Sequence, residues 1–277
     1  MKNLKLFRFV FAVLVAALSS PFNHAETVDI PIAKDMQKAV QPISTQEEIE
    51  IGREVAANVI AQFGLYENEA VTEYVNMVGL TVAQVAPRKD LTYRFAVLNS
   101  DVVNAFAAPG GYIFITKGLL FLLKDEAQLA SVLGHEIAHV NRKHVIKEIQ
   151  KQRIANAAIP GYVKATAEKA ELMSQITDLA IQMIWKGLSR EDELEADKFG
   201  VEYAGGVGYQ AASFKEVLEM MKARSESQNQ DVAKTLKFLL GTHPKPQDRI
   251  QALEEKLKML PPDGVRLEDR FKKAIKV

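Results

Sequence analysis

One segment constrains this chain more than any other: His135-Glu136-Ile137-Ala138-His139. It lies in an apolar-periodic stretch that predicts a helix, and histidines four residues apart lie on one helix face, one turn apart. Both imidazoles can therefore bind one metal ion, while Glu136 lies beside that ion as a general base for water. The spacing predicts a zinc site, although the motif also recurs by chance and needs support from the rest of the chain.

Length and composition are those of an ordinary globular protein. Of its 277 residues, 48% are hydrophobic and 25% are charged, so the chain can bury one large core. Lys and Arg together number 35, as do Asp and Glu, and this balance gives no indication of nucleic acid as a partner. The absence of cysteine excludes disulfides and leaves the compartment undecided on redox grounds.

The first 25 residues predict a secretory signal peptide. Basic residues precede an unbroken apolar run, Phe9 to Leu18, and helix-breaking and small residues follow it. This run is too short to span a bilayer, so an uncleaved anchor is the weaker alternative. We expect residues 1–25 to be removed, residues 26–277 to form a single domain around the zinc motif, and the mature protein to be exported, most simply to a bacterial periplasm.

Hydrophobic periodicity predicts a mostly α fold (α+β) with a small β-sheet beside the motif helix. We predict helices from a capping box at Thr45 to about Phe63, over 70–85, from Asp125 through the motif, over 143–158 in continuous register, over 165–188, and from a Ser189 cap onward.

Two strands are predicted, Leu91–Leu98 and Tyr112–Thr116, with a turn at Pro109-Gly110-Gly111 between them. We interpret the second strand as an exposed sheet edge, on which an extended substrate could pair through its backbone. The apolar stripe that includes Ile176 and Met183 is interpreted as core. A membrane-facing surface, giving peripheral membrane contact, is the alternative.

A catalytic zinc ion takes three protein ligands, so one ligand must come from outside the motif. The longer motif H-E-x-x-H-x-x-G-x-x-H is excluded, because Arg142 and Val145 occupy the positions of its glycine and last histidine. We predict that the nearby His144 is an exposed surface residue.

Better candidates lie in the acidic segment 189–197. Glu193 and Asp197 share a helix face, so Glu193 could bind zinc while Asp197 orients a ligating histidine through its second ring N–H. A solvated acidic helix start is the plain alternative. Spacing alone does not choose between Glu193 and Glu195.

Four blocks in this order resemble the zinc metallopeptidase superfamily of CAAX prenyl proteases, HtpX and the BepA-type periplasmic proteases. They are 104–111 with 116–120, the motif 135–139, Ser189-Arg190-x-x-Glu193-x-x-Ala196-Asp197, and Thr242-His243-Pro244 followed by Arg249-Ile250. The resemblance implies a mostly α, zincin-like fold with a small sheet. It differs from membrane-embedded members, because no segment after export could span a bilayer, and from the BepA type, because the chain stops at Val277 before a C-terminal repeat domain.

The resemblance also implies roles for individual residues. Glu193 becomes the third ligand of one zinc ion per chain, beside His135 and His139. Asp197 orients a ligand or transfers protons, and His243 and Arg249 approach the site from a later segment.

These residues predict a zinc metalloendopeptidase that cuts internal peptide bonds of unfolded or misassembled exported proteins. Glu136 would take a proton from water and pass it to the leaving amine. His243 or Arg249 would donate to the oxyanion, or His243 would occupy the open zinc position and hold the enzyme latent. The alternatives are a chaperone or assembly factor that rarely cuts its clients, and a structural zinc site. Glu136 argues against either as the only activity.

Overall fold

The computed structural model describes residues 40–157, 169–226, 242–243 and 246–275. The predicted signal peptide lies outside these residues. In chain order the described elements are α1 (Thr45–Phe63), α2 (Glu69–Ala83), β1 (Arg94–Leu98), β2 (Ala105–Ala108), a 3-10 turn (Pro109–Gly111), β3 (Tyr112–Thr116), α3 (Lys117–Leu120), α4 (Glu126–Asn141), α5 (His144–Ala157), α6 (Lys169–Lys186), α7 (Arg190–Gly206), α8 (Ser213–Ser225), α9 (Pro246–Leu257) and α10 (Glu268–Ile275). The mostly α fold with a small sheet is confirmed.

The capping box of α1 lies one residue earlier than predicted. Ser44 is the N-cap, and its side chain and that of Glu47 bond reciprocally to each other's backbone N–H groups. Glu48, the acidic residue three positions after Thr45, is buried and accepts hydrogen bonds from Arg88 at 2.7 and 2.8 Å. This ion pair ties α1 to the segment that follows α2.

The three strands form a sheet with the order β1-β3-β2. β1 is parallel to β3, and β2 is antiparallel to it. The prediction that β3 (Tyr112–Thr116) is a sheet edge is therefore wrong, because both of its sides are paired. β2 is not among the predicted strands: all four residues of its Ala-Phe-Ala-Ala run are buried, so the run shows no polar alternation. β2 forms the edge nearer the motif helix.

The motif helix α4 ends before the next helix begins, so the prediction of continuous helical register over 143–158 is wrong. Arg142 is its C-cap, and Lys143 has a φ of 56° before α5 begins at His144. A non-glycine residue in the left-handed region reverses the chain direction locally. The helix α5 (His144–Ala157) is therefore separate from α4 and packs beside it.

Two apolar clusters lie on opposite faces of the sheet. Along β3, Ile113 and Ile115 contact the cluster formed with α2, α4, α7 and α8, while Phe114 contacts the cluster formed with α1, α5 and α6. The stripe on α6 that includes Ile176 and Met183 belongs to the second cluster, which confirms its interpretation as core. Among the described helices, none is long and apolar enough to cross a membrane.

A buried carboxylate attaches the last helix to the start of α4. Glu126 is fully buried and accepts hydrogen bonds from the Tyr74 hydroxyl at 2.6 Å, the Tyr209 hydroxyl at 2.5 Å and the Arg270 guanidinium. Burial alone raises the pKa of Glu126, but these donors outweigh it and hold the pKa below its ordinary value. The ionised group therefore stabilises the attachment of α10.

Replacing Arg270 with Met should lower the free energy of unfolding by about 1.5–3 kcal/mol, because the buried carboxylate loses its charged donor. Urea denaturation at pH 7 measures the change. Lys272→Met is the matched control on the same helix, because its ion pair with Glu268 is exposed to solvent and should contribute little to stability. Equal effects of the two substitutions would contradict this account.

The same pair of proteins should differ in pH dependence. A carboxylate with a depressed folded-state pKa stabilises the protein above its unfolded pKa, and that stability disappears as pH falls through the folded value. Without Arg270, the folded-state pKa of Glu126 is no longer held below its ordinary value. The stability gap between wild type and Arg270→Met should therefore be fully present at neutral pH and narrow as the pH falls below about 4.5, the ordinary pKa of this carboxyl group, toward the lower folded-state value. A gap independent of pH would mean that Arg270 acts through packing alone.

Candidate active site

The site forms where α4 and α7 cross at two glycines. A β-carbon added at Gly134 would lie 2.7 Å from the carbonyl oxygen of Gly200, and one added at Gly200 would lie 2.7 Å from the backbone nitrogen of His135. Both distances are too short for any larger residue, so the two backbones are in direct contact. This contact places the acidic residues in the first two turns of α7 against the histidines of α4.

The structure brings His135, His139 and Glu193 together, and all three are buried. The Nε2 atoms of His135 and His139 are 3.0 Å apart. Oε2 of Glu193 lies 3.6 Å from Nε2 of His135, and Oε1 of Glu193 lies 3.4 Å from Nε2 of His139. Four ligands around a tetrahedral zinc ion at about 2.0–2.1 Å lie roughly 3.3 Å from one another. The donor atoms are therefore spaced as ligands of one ion would be.

A second set of three could also hold a metal, since His243 lies close to His135 and Glu193. The Nδ1 atom of His243 is 2.6 Å from Glu193 Oε2, which is a hydrogen-bond distance and shorter than the separation of two ligands on one ion. We therefore favour the set with His139, and treat His243 as a hydrogen-bond partner of Glu193 in this arrangement.

Asp197 lies behind His135, one helical turn after Glu193. Its Oδ1 atom is 2.9 Å from Nδ1 of His135, so it accepts the ring proton and leaves Nε2 facing the site. Arg249 donates to both oxygens of Asp197, at 2.9 and 2.6 Å. Burial raises the pKa of Asp197, but the charge and hydrogen bonds of Arg249 outweigh it and keep the pKa below its ordinary value.

Arg249 lies close to two acidic groups. Besides Asp197, its guanidinium lies 3.7 Å from Glu193. The structure therefore favours a role in holding carboxylates over the predicted donation to an oxyanion.

Glu136 is buried at the junction of two cavities. One is also lined by His139, Glu193 and the β2 residues Phe106 and Ala107, and the other by His135 and apolar residues of α4 and α8. Burial raises the pKa of Glu136, and the charge of Glu193 acts in the same direction. A bound cation would act in the opposite direction.

The prediction that His144 is an exposed surface residue is wrong. The residue is buried, and its Nδ1 atom lies 2.8 Å from Nδ1 of His139. The left-handed turn at Lys143 folds α5 back under the motif helix, a reversal that helical periodicity does not reveal. The polar run Asn141-Arg142-Lys143 was the available sequence signal for that turn.

Comparison with known sequences adds a family to this geometry. The profile of Peptidase family M48 matches residues 69–257, which include the histidines of α4 and the acidic residues of α7. The chain belongs to Peptidase family M48. It is a metallopeptidase, and its described residues include a group of histidine and glutamate side chains that could hold a metal ion.

Two relatives, one mitochondrial and one from Escherichia coli, are similar to most of this chain. The mitochondrial metalloendopeptidase OMA1 of Schizosaccharomyces pombe is 29% identical over 91% of this chain and 72% of its own length. The β-barrel assembly-enhancing protease of Escherichia coli K12 is 24% identical over 83% of this chain and 47% of its own length. The chain therefore spans about half the length of the assembly-enhancing protease that it matches.

Gly200→Ala should separate α4 from α7, because its β-carbon would clash with the backbone at His135. We expect a loss of about 1–3 kcal/mol in the free energy of unfolding, together with weaker zinc binding. Urea denaturation and chelator competition measure the two effects. Gly205→Ala is the control on the same helix, where the nearest atom is 3.6 Å away and the substitution should be neutral or stabilising. Wild-type behaviour of Gly200→Ala would show that the crossing tolerates wider spacing.

Proposed function

We propose that this M48 metallopeptidase is a zinc-dependent endopeptidase that cleaves unfolded or misassembled exported proteins. The observation that supports it most is the position of Glu136. It lies beside the His135, His139 and Glu193 donors and also borders both cavities. A purely structural metal site has no need of a carboxylate in that place.

We propose His135, His139 and Glu193 as the zinc ligands, since their donor atoms have the required spacing and chemistry. When bound, the ion would act as a Lewis acid toward the scissile carbonyl and make water a better nucleophile. Asp197 holds the ring of His135 in the tautomer that offers Nε2, and Arg249 keeps Asp197 ionised and in place.

Glu136 is the proposed general base. It would accept a proton from the attacking water and later transfer it to the leaving amine, a role typically worth 10²–10⁴-fold in rate. His243 is the better of the two predicted oxyanion donors, because Arg249 is occupied by Asp197. His243 instead donates to Glu193 in this structure, and a small movement of the ring would make its N–H available to substrate.

Extended, apolar polypeptide is the substrate that the surroundings favour. Within the described chain, β2 pairs only with β3, so its other edge can accept a substrate backbone as an added strand. The cavity next to β2 is lined by Phe106, Val145 and Met183, and the second by Leu119 and Phe214, among others. Unfolded proteins expose the apolar side chains that would fit beside these residues.

We place this activity outside the cytoplasm on the basis of the amino-terminal sequence, and propose a role in envelope quality control. One relative is named a mitochondrial metalloendopeptidase and another a β-barrel assembly-enhancing protease, and the second name supports a role connected with protein assembly. A chaperone that binds unfolded clients and rarely cuts them is the second candidate, because the proposed strand edge would serve binding as well as cleavage.

Glu136→Gln should reduce cleavage of a reduced, unfolded model protein by about 10²–10⁴-fold, because the base is lost. Its zinc content should equal that of wild type, since Glu136 is not a proposed ligand. Gel-based cleavage assays and elemental analysis measure both quantities. Glu191→Gln, a change on the exposed surface of α7, is the control and should behave as wild type.

Equal cleavage by wild type and Glu136→Gln would contradict the mechanism. A wild-type protein that contains zinc, suppresses aggregation of the same substrate and never cuts it would favour the chaperone instead.

A further inference from the structure

A series of polar contacts extends from His139 away from the site, buried at His139 and His144 and partly exposed at Glu195 and Arg142. Nδ1 of His139 lies 2.8 Å from Nδ1 of His144, and Nε2 of His144 lies 2.9 Å from Oε2 of Glu195. The other oxygen of Glu195 accepts a hydrogen bond from Arg142 at 2.8 Å. His144 is 1% exposed, so water does not supply these contacts.

The direction of the hydrogen bonds from His139 to His144 and from His144 to Glu195 follows from one requirement. His139 can offer Nε2 to a metal only if its ring proton is on Nδ1. That proton must then be donated to Nδ1 of His144, which needs a lone pair there. The proton of His144 is therefore on Nε2, where the carboxylate of Glu195 accepts it.

Both histidines of the motif are linked through their Nδ1 atoms to a carboxylate of α7, but His139 is linked through one intervening residue. Ligating histidines almost always donate their second ring N–H to an acceptor, which fixes the ring orientation and strengthens the ligand. For His135 that acceptor is Asp197 directly, at 2.9 Å. For His139 the acceptor is His144, which transmits the influence of a carboxylate from the same helix, α7.

We propose that His144, supported by Glu195, is a positioning residue that holds His139 in its metal-binding tautomer and orientation. This inference rests on the proposed zinc site. A residue that merely filled the core would gain nothing from an imidazole, since a buried ring with unpaired nitrogens costs free energy that an apolar side chain avoids. His144 instead has a partner for each nitrogen.

The test measures zinc affinity by competition with a chromophoric chelator. His144→Leu should weaken zinc binding about 10–100-fold, because the N–H of His139 loses its acceptor. His144→Gln should lose less, since its amide oxygen can accept that proton. Glu195→Gln should weaken zinc binding less than His144→Leu does. The visible spectrum of the cobalt-substituted His144→Leu protein should differ from that of the cobalt-substituted wild type.

Two controls distinguish positioning from packing. Glu191→Gln removes a charge from the same helix at an exposed position and should leave zinc affinity unchanged. Thermal unfolding of the metal-free proteins should show His144→Gln close to wild type. Zinc affinity that falls only in proportion to the stability of the metal-free variants would assign His144 to packing and overturn the proposal.

A failure of the inference about His144 can be distinguished from a failure of the proposed function. Unchanged zinc affinity in His144→Leu, with wild type active and Glu136→Gln inactive, would overturn this inference alone. A wild-type protein that binds no zinc would overturn the proposed function, and this inference with it.

Discussion

The contact between Gly134 and Gly200 is the constraint on which the rest of the site depends. Two helices normally pack 8–10 Å apart because their side chains lie between them. Here no side chain intervenes, since a β-carbon on either glycine would overlap the other backbone. Only at such close approach can a short carboxylate such as Asp197 reach the inner nitrogen of His135 while Glu193, one turn earlier, reaches its outer nitrogen.

Close packing of α4 and α7 also buries carboxylates, whose negative charge the surrounding residues must compensate. Buried carboxylates cost free energy unless opposite charges and hydrogen-bond donors compensate them. Asp197 is compensated by Arg249, and Glu193 by His243, so the pKa of each carboxylate stays below its ordinary value despite burial. Arg249 and His243 both come from the later part of the chain. Their contacts therefore position the site and attach that segment to the α4–α7 pair.

The sequence predicted local features well and long-range ones only by resemblance. Helix α4 and its HExxH face follow from spacing, because i and i+4 residues share a face whatever the tertiary structure. Glu193 could not be separated from Glu195 by spacing, since that choice depends on how α7 is rotated against α4. The buried position of His144 depends on one left-handed residue, Lys143, which no periodicity encodes. The strand order, with β3 central, depends likewise on contacts distant in sequence.

The rotation of α7 explains how one acidic helix serves two histidines. Glu193 and Asp197 are four residues apart and face α4, whereas Glu195 lies between them and projects to another side. The turn after α4 brings His144 to that side, where Glu195 meets it. A one-residue change in the register of α7 would therefore remove a proposed ligand and both acidic supports together. Because all three carboxylates lie on one helix, helix geometry sets their relative positions, which is consistent with a site whose donor atoms are already spaced for an ion.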